Sequence, residues 1–352
     1  MRLALRGGNP LERLALRANL VPGPAAEAWG GMATSGVLVA AVRTGVVARL
    51  ASGPARTEDI ARDLCLAPTP TRLLVDCLIA TGHARRARDG SVRLARRDRR
   101  WLDPESEMGI ARFVNACGDY FDWWRDLDRL IETGASVEQH DRGPDDPYWR
   151  RYILGQLDLA RLTAPEVARR LVLPDGAGSV LDVGGGHGWY SAMLCRRHPG
   201  LTATVLDLPG SARIGREVVD AAGLAHRVTF VEGDARSADF PDGQDAVLCF
   251  NLLHHLTGAE IPALLKRAAT ALKPGGTLAV LDAFAEPPRA GRARGNAAAT
   301  HLALFVRLTS GSTVHTPSDL ATWFQAAGFA APRRVRSARI PGLALYQAWK
   351  SW

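Results

Sequence analysis

Lysine is nearly absent from this chain of 352 residues; it stands only at positions 266, 273 and 350. The formal charge of +8 therefore rests on arginine. That imbalance reads as compositional bias rather than a surface shaped for nucleic acid, although a basic chain is compatible with such a partner. Cysteine is sparse too. Cys65, Cys77, Cys117, Cys195 and Cys249 are scattered, odd in number and mostly set among apolar neighbours. They form neither a C-x-x-C metal pair nor a disulfide framework. They read as buried packing thiols, and the expected compartment is a reducing cytoplasm. No run of about 18 apolar residues occurs, so no membrane span is expected. Residues 1–20 mix Arg2, Arg6, Arg13 and Arg17 with leucines and lack the apolar stretch of a secretory signal. They read as an amphipathic first helix.

What is present suits a soluble globular protein of two domains: 47% apolar and 23% charged residues. Residues 35–50 read as an apolar helix broken near Gly45. Thr57 is a plausible N-cap for a short helix through Leu64, and Thr69-Pro70 opens another over 71–81. Asp89-Gly90 then marks a hairpin turn. Helix, turn, helix, hairpin is the order of a winged helix. The second helix, however, is apolar on every side and reads as buried, whereas a recognition helix needs polar side chains at base edges. Arg85, Arg86, Arg88, Arg93, Arg96 and Arg97 of the wing could still touch phosphate. Nucleic acid is therefore an unexpected partner, and a DNA-binding regulator remains the reading from another class.

Residues 106–172 read as helices rich in aromatics, among them Phe113, Tyr120, Phe121, Trp123, Trp124, Tyr148, Trp149 and Tyr152, with a loop at residues 143–147. From residue 179 short β-branched runs alternate with helical segments, which predicts a parallel sheet covered on both faces, an α/β doubly wound fold. Val180-Leu181-Asp182-Val183 runs into Gly184-Gly185-Gly186-His187-Gly188, and a helix follows from Trp189. This strand, glycine turn and helix let backbone approach a nucleotide-like ligand. A dinucleotide fingerprint wants a third glycine where Trp189 stands, so that reading is disfavoured. The next two strands end at Asp207 and at Gly233-Asp234. Carboxylates there can accept from ribose hydroxyls and from an adenine amino group.

Asp182 to Gly188, then Asp207-Leu208-Pro209, Gly233-Asp234 and Leu272-Lys273-Pro274-Gly275-Gly276, resemble the successive motifs of class I methyltransferases. The specific likeness is to the S-adenosylmethionine-dependent small-molecule O-methyltransferases, typified by plant caffeate O-methyltransferases and bacterial antibiotic-tailoring enzymes. It covers nearly the whole chain. The resemblance implies a winged-helix-like dimerisation domain over 1–105, linking helices that line the substrate pocket over 106–172, and a Rossmann-like methyltransferase domain over 173–352. It implies S-adenosylmethionine as cofactor, held by Asp182, Gly184, Gly186, Asp207 and Asp234, with Tyr152 and Gln156 contributing from the preceding helices. A homodimer and an aromatic or polyketide-like substrate follow from the same likeness.

Strand four ends in Asn251-Leu252-Leu253-His254-His255-Leu256, where an open α/β sheet places its ligand. Methyl transfer from a sulfonium to a phenol needs in-line attack and removal of a proton. With pKa values of about 10 for the phenol and about 6.5 for imidazole, the base must act as transfer proceeds. The family's Leu-His-Asp-Trp motif places its general base on His254, with His255 where Asp is usual and Leu256 where Trp is usual. Asp282, after strand five, matches one of the two acids that hold this histidine. The other acid would fall on Val314 in Gly311-Ser312-Thr313-Val314-His315-Thr316, which is a departure from the pattern. Either His315 compensates, or the acceptor needs little help from a base. C- or N-methylation, and hydroxylase, decarboxylase or pericyclase chemistry on the same scaffold, therefore remain open. No metal site is evident, because His254, His255 and His301 lack a carboxylate or cysteine set.

Overall fold

A computed structural model of the chain describes residues 9–285, 297–337, 339–340 and 342–350. The elements are α1 (Pro10–Arg17), α2 (Gly23–Arg43), α3 (Val46–Ser52), α4 (Thr57–Asp63), α5 (Pro68–Ala80), β1 (Ala84–Arg86), β2 (Val92–Leu94), α6 (Arg96–Leu102), α7 (Ala111–Arg125), α8 (Leu127–Thr133), α9 (Pro147–Arg170), β3 (Ser179–Val183), α10 (Trp189–Arg197), β4 (Thr202–Asp207), α11 (Pro209–Ala221), β5 (Val228–Glu232), β6 (Gln244–Phe250), α12 (Ile261–Ala271), β7 (Leu272–Asp282), α13 (Ala297–Ser310), α14 (Pro317–Ala326), β8 (Arg333–Val335) and β9 (Ala344–Trp349). They form two compact units, residues 1–118 and 119–352.

The first unit is helical, with one antiparallel hairpin pairing Ala84 to Leu94 and Arg86 to Val92. Its core gathers Val46, Leu50, Ile60, Val75, Leu78, Val92 and Leu94. The amphipathic helix expected over residues 1–20 is present as α1, with Asn9 capping it through Glu12 N–H at 2.9 Å; residues 1–8 lie outside the described residues. Gly45, with φ of 80°, breaks the apolar stretch as expected, separating α2 from α3.

Four details differ from the sequence reading. Thr57 is the first residue of α4 and does not cap it; its hydroxyl is buried without a partner. α5 starts at Pro68, earlier than expected, and it is not buried all round, since Leu73 is exposed. Cys65 and Cys77 are exposed, while only Cys195 and Cys249 are buried; Cys65 stands in the turn after α4, with φ of 53°, and Cys77 lies one turn past the exposed Leu73 on α5. Finally, α2 has a stretch with mean hydropathy 1.2, long and apolar enough to cross a membrane by length and composition alone. Its Glu27, Thr34 and Ser35 interrupt the apolar run without lowering the average enough to fail that test.

The second unit holds a seven-stranded sheet in the order β5-β4-β3-β6-β7-β9-β8. The first five strands are parallel. β9 then pairs antiparallel with β7 and β8 with β9, an edge the alternating pattern did not predict. Alternate residues enter different layers, as a period of two requires. Val180, Ala246 and Leu248 join one core with Ala164, Leu194 and Val219. Leu181, Val183, Val247 and Cys249 join the other with Leu264, Leu265, Leu320 and Phe324. The sheet is thus wound in two directions from β3 and β6. The crevice where these neighbours diverge is the place such a fold offers a ligand.

Candidate active site

The loop after β3 is held open by conformations that only glycine adopts freely. Gly184, Gly186 and Gly188 have φ of 68°, 55° and 65°. A Cβ on Gly185 would sit 2.6 Å from Cγ of Asp182 and 2.8 Å from Val205. Asp182 lies fully buried beneath the loop, where its Oδ2 accepts from Ser191 Oγ at 2.7 Å. Burial pushes its carboxyl up to about 7. The acid therefore supports the loop from behind, tying β3 to α10.

Asp207 closes β4 on the open side of the loop. Its Oδ2 accepts from Gly186 N–H at 2.7 Å and its Oδ1 from Leu208 N–H at 2.8 Å. Burial, with the charge of Asp234 adding to it, raises its carboxyl above the usual range. Asp234 lies half-exposed after β5, with Arg236 N–H donating to it at 2.8 Å. From α9, Tyr152 faces the same corner. Burial first, and the charge of Asp207 second, push its phenol up. Gln156, one turn further along α9, is half-buried. Tyr152 also stacks on Tyr148 at 5.3 Å, and Trp123, Tyr120 and Phe305 extend this aromatic wall.

The end of β6 carries the titratable groups. Asn251 adopts φ of 51°, a left-handed conformation that Asn tolerates better than most residues, and the chain turns there into a 3-10 turn at Leu253–His255. His254 Nδ1 lies 2.7 Å from Asp282 Oδ1, and its backbone N–H reaches Asp282 Oδ2 at 3.3 Å. Asp282 is 2% exposed and also accepts from Ala283 N–H at 2.7 Å. One carboxylate thus fixes both ring and backbone of His254. With Nδ1–H donated to it, the Nε2 lone pair points away from Asp282 and can accept a proton.

Two further histidines stand in this cluster. His255 Nδ1 meets Ser310 Oγ at 3.0 Å. His140 lies with its ring centroid 5.1 Å from that of His255 and from that of Tyr152. Burial pushes His140 down to about 3, with His254, Arg236 and Arg142 adding to it. Gln139 amide nitrogen lies 3.0 Å from His140 Nε2. The segment is strapped to α13 by Val137 N–H to Leu308 O and Gln139 N–H to Thr309 O. Sequence reasoning missed Gln139, His140 and Ser310. They sit in irregular or terminal positions with no periodic signal, and only the strap brings them to β6.

A family model described as an O-methyltransferase domain matches residues 134–330, more than half of the chain. The chain belongs to the O-methyltransferase family. This methyltransferase is 28% identical over 318 residues to a 3-hydroxy-5-methyl-1-naphthoate 3-O-methyltransferase of Streptomyces sahachiroi, an alignment spanning 88% of this chain and 89% of that one. It is 28% identical over 261 residues to an N,N-dimethyltransferase of Streptomyces rimosus, spanning 71% and 75% of the two chains. Its fold matches that of human N-acetylserotonin methyltransferase in complex with SAM, with a TM-score of 0.80 over 99% of this chain and 100% of that one at 19% identity.

The cofactor of the methyltransferase is S-adenosylmethionine, and the residues present fit it. A carboxylate has about four acceptor positions. Asp207 spends one on Gly186 N–H and one on Leu208 N–H, which leaves two for a ribose diol, beside glycines that admit close approach.

At the position where the resemblance leads to a second glutamate, Val314 is buried against Ala283 and Val306. His315 does not reach the base. Its Nε2–H points at Leu253 O (3.1 Å) and Leu256 O (3.0 Å), and Ser312 Oγ–H also donates to Leu256 O. These two donors clamp the turn that carries His254.

Proposed function

We propose that the methyltransferase methylates a hydroxyl of a flat aromatic or polyketide-like small molecule, with His254 as general base oriented by Asp282. The observation that carries this reading is the 2.7 Å contact between His254 Nδ1 and Asp282, which leaves Nε2 facing away from the carboxylate at the strand ends beside the glycine loop. S-adenosylmethionine, when bound, supplies a methyl group activated by the positive sulfur. Asp207 and the glycine loop hold it, and Asp234, Tyr152 and Gln156 bound the same corner. His254 Nε2 receives the hydroxyl proton as the acceptor oxygen attacks, and Asp282 stabilises the cation that forms on the ring. Tyr148, Trp123, Tyr120 and Phe305 offer an apolar wall to a planar substrate. The naphthoate-acting relative from Streptomyces sahachiroi supports that substrate class.

The division of labour follows the family's pattern: a winged-helix-like domain over 1–105 for dimerisation, linking helices over 106–172 and the cofactor-binding domain over 173–352. The partner of the helical unit is a second copy of the chain, in the cytoplasm. Leu11, Leu14, Trp29 and Met32 are exposed on α1 and α2, an apolar surface suited to self-association. The DNA-binding alternative is disfavoured further, since Arg72 and Arg86 both pair with Asp76.

A second reading, N-methylation, has one support in the relative from Streptomyces rimosus. Mass spectrometry of reactions with S-adenosylmethionine and panels of polycyclic phenols and aromatic amines separates the two. A phenol heavier by one methylene, with S-adenosylhomocysteine formed in step, supports O-methylation. Methylated amines with unchanged phenols would replace it by N-methylation. A converted substrate with intact cofactor would discard methyl transfer altogether.

A further inference from the structure

The two histidines after β6 are held alike and present the same atom. His254 is anchored through Nδ1 by Asp282 at 2.7 Å, and His255 through Nδ1 by Ser310 at 3.0 Å. Their ring centroids are 4.2 Å apart with a tilt of 44°. Both residues are partly buried, and neither Nε2 meets a polar partner among the described residues.

The anchors differ in kind. Asp282 only accepts, so the hydrogen of His254 sits on Nδ1 and its Nε2 carries a lone pair. His255 Nδ1 is approached at 3.5 Å by the amide nitrogen of Gln139, which only donates. Ser310 O–H can donate to the same nitrogen, and the hydrogen of His255 is then left on Nε2. Burial, with His254 and His140 adding to it, holds His255 well below the ordinary imidazole range, so the ring is neutral at physiological pH. An acceptor nitrogen and a donor nitrogen thus belong to rings whose centroids lie 4.2 Å apart.

We propose that His255 is a second substrate-recognition residue, donating from Nε2–H to a carbonyl oxygen adjacent to the hydroxyl that His254 deprotonates, so that the preferred acceptor is an aromatic ring whose hydroxyl lies ortho or peri to a carbonyl. The inference rests on the O-methylation reading above. It supplies a chemical need of that substrate class. A hydroxyl beside a carbonyl donates internally to it, which ties up its proton and makes it a poor nucleophile. The His255 N–H gives the carbonyl another donor and frees the hydroxyl for His254. The O–H proton passes to His254 Nε2 as the oxygen–methyl bond forms, and the electron pair of the breaking methyl–sulfur bond stays on sulfur. Ser310 and Gln139 act through His255 and are positioning residues.

The test compares 1-hydroxyanthraquinone, whose hydroxyl is peri to a carbonyl, with 2-hydroxyanthraquinone, whose hydroxyl is remote. Binding to protein loaded with S-adenosylhomocysteine is followed by tryptophan quenching, and turnover with S-adenosylmethionine by mass spectrometry. Wild type is expected to bind the peri isomer about tenfold more tightly, the worth of one hydrogen bond. His255→Phe should lose that preference, its loss on the peri isomer exceeding that on the remote isomer about tenfold. His255→Gln, which keeps an N–H donor, should restore part of it. S-Adenosylhomocysteine affinity within about twofold of wild type shows that each variant is folded. Equal binding of the isomers by wild type, failure of the peri isomer to bind, or equal losses in His255→Phe would overturn the proposal. Preferred peri binding with no methylated product would instead sink the O-methylation reading and leave the recognition role standing.

Discussion

Replacing Asp282 by Asn tests the dyad with little change of shape. The side chain is 2% exposed and accepts from the His254 ring, the His254 backbone and Ala283 N–H at 2.7, 3.3 and 2.7 Å. An amide keeps the volume but brings one oxygen and an NH2 group to three donors, so one donor must face another. More costly for turnover, the cation forming on His254 loses a charged acceptor. A hydrogen bond to a charged group contributes about 1.5–3 kcal/mol. At about 1.36 kcal/mol per decade this is roughly a 10- to 150-fold fall in kcat. Single-turnover product formation at saturating S-adenosylmethionine and acceptor measures it, with cofactor affinity by calorimetry as the control. The cofactor Kd should stay within about twofold, because Asp282 touches neither the glycine loop nor Asp207. A kcat within about threefold of wild type, in a chain that binds cofactor normally, would refute His254 as a base oriented by this carboxylate.

Asp207→Ala should weaken S-adenosylmethionine binding by about tenfold or more, since it removes the ribose acceptors and the brace on Gly186 N–H; calorimetry with undiminished affinity would remove Asp207 from the cofactor site. His187 is pushed down to about 3 by burial and by Arg161, and its Nδ1 accepts from Trp189 N–H at 3.0 Å. Below the ordinary imidazole pKa of about 6.5 the unfolded chain therefore binds the extra proton, and the stability held by the neutral ring is lost as pH falls toward 3. His187→Asn keeps an acceptor without titrating, so its denaturation midpoint should fall less steeply than wild type between pH 6.5 and 4, and identical slopes would contradict this assignment. Trp29→Glu should shift the chain from dimer to monomer in sedimentation equilibrium, whereas an unchanged dimer would place the self-association surface elsewhere.

The parts of the fold that could be read in the sequence are those whose signal is local. Val180 to Val183 followed by glycines and a helix needs only neighbouring residues to be recognised, and Asp207 and Asp234 then fall at the ends of adjacent parallel strands. The antiparallel β8–β9 edge escaped because β8 is three residues of mostly exposed, arginine-rich chain, without the apolar alternation that marks a strand. His254 and Asp282 were legible through the motif each belongs to, and their 2.7 Å contact joins residues brought together by the pairing of β6 with β7. Gln139 and His140 were not legible at all. Their place depends on backbone bonds to Leu308 and Thr309, far along the chain, and no pattern around residues 134–146 announces them. The cap at Thr57 failed for a related reason: its hydroxyl is buried beneath α4 instead of turned to the free N–H groups.

Val314 has an implication for how this site could change over evolutionary time. It fills an apolar niche with Ala283 and Val306, directly after the dyad carboxylate in the case of Ala283. A glutamate introduced there alone would arrive charged among described neighbours that are apolar, and would cost stability before it helped the base. An acid at this position would need a polar or cationic partner introduced beside it. The His315 and Ser312 clamp on Leu256 O meanwhile removes the mechanical reason to restore it.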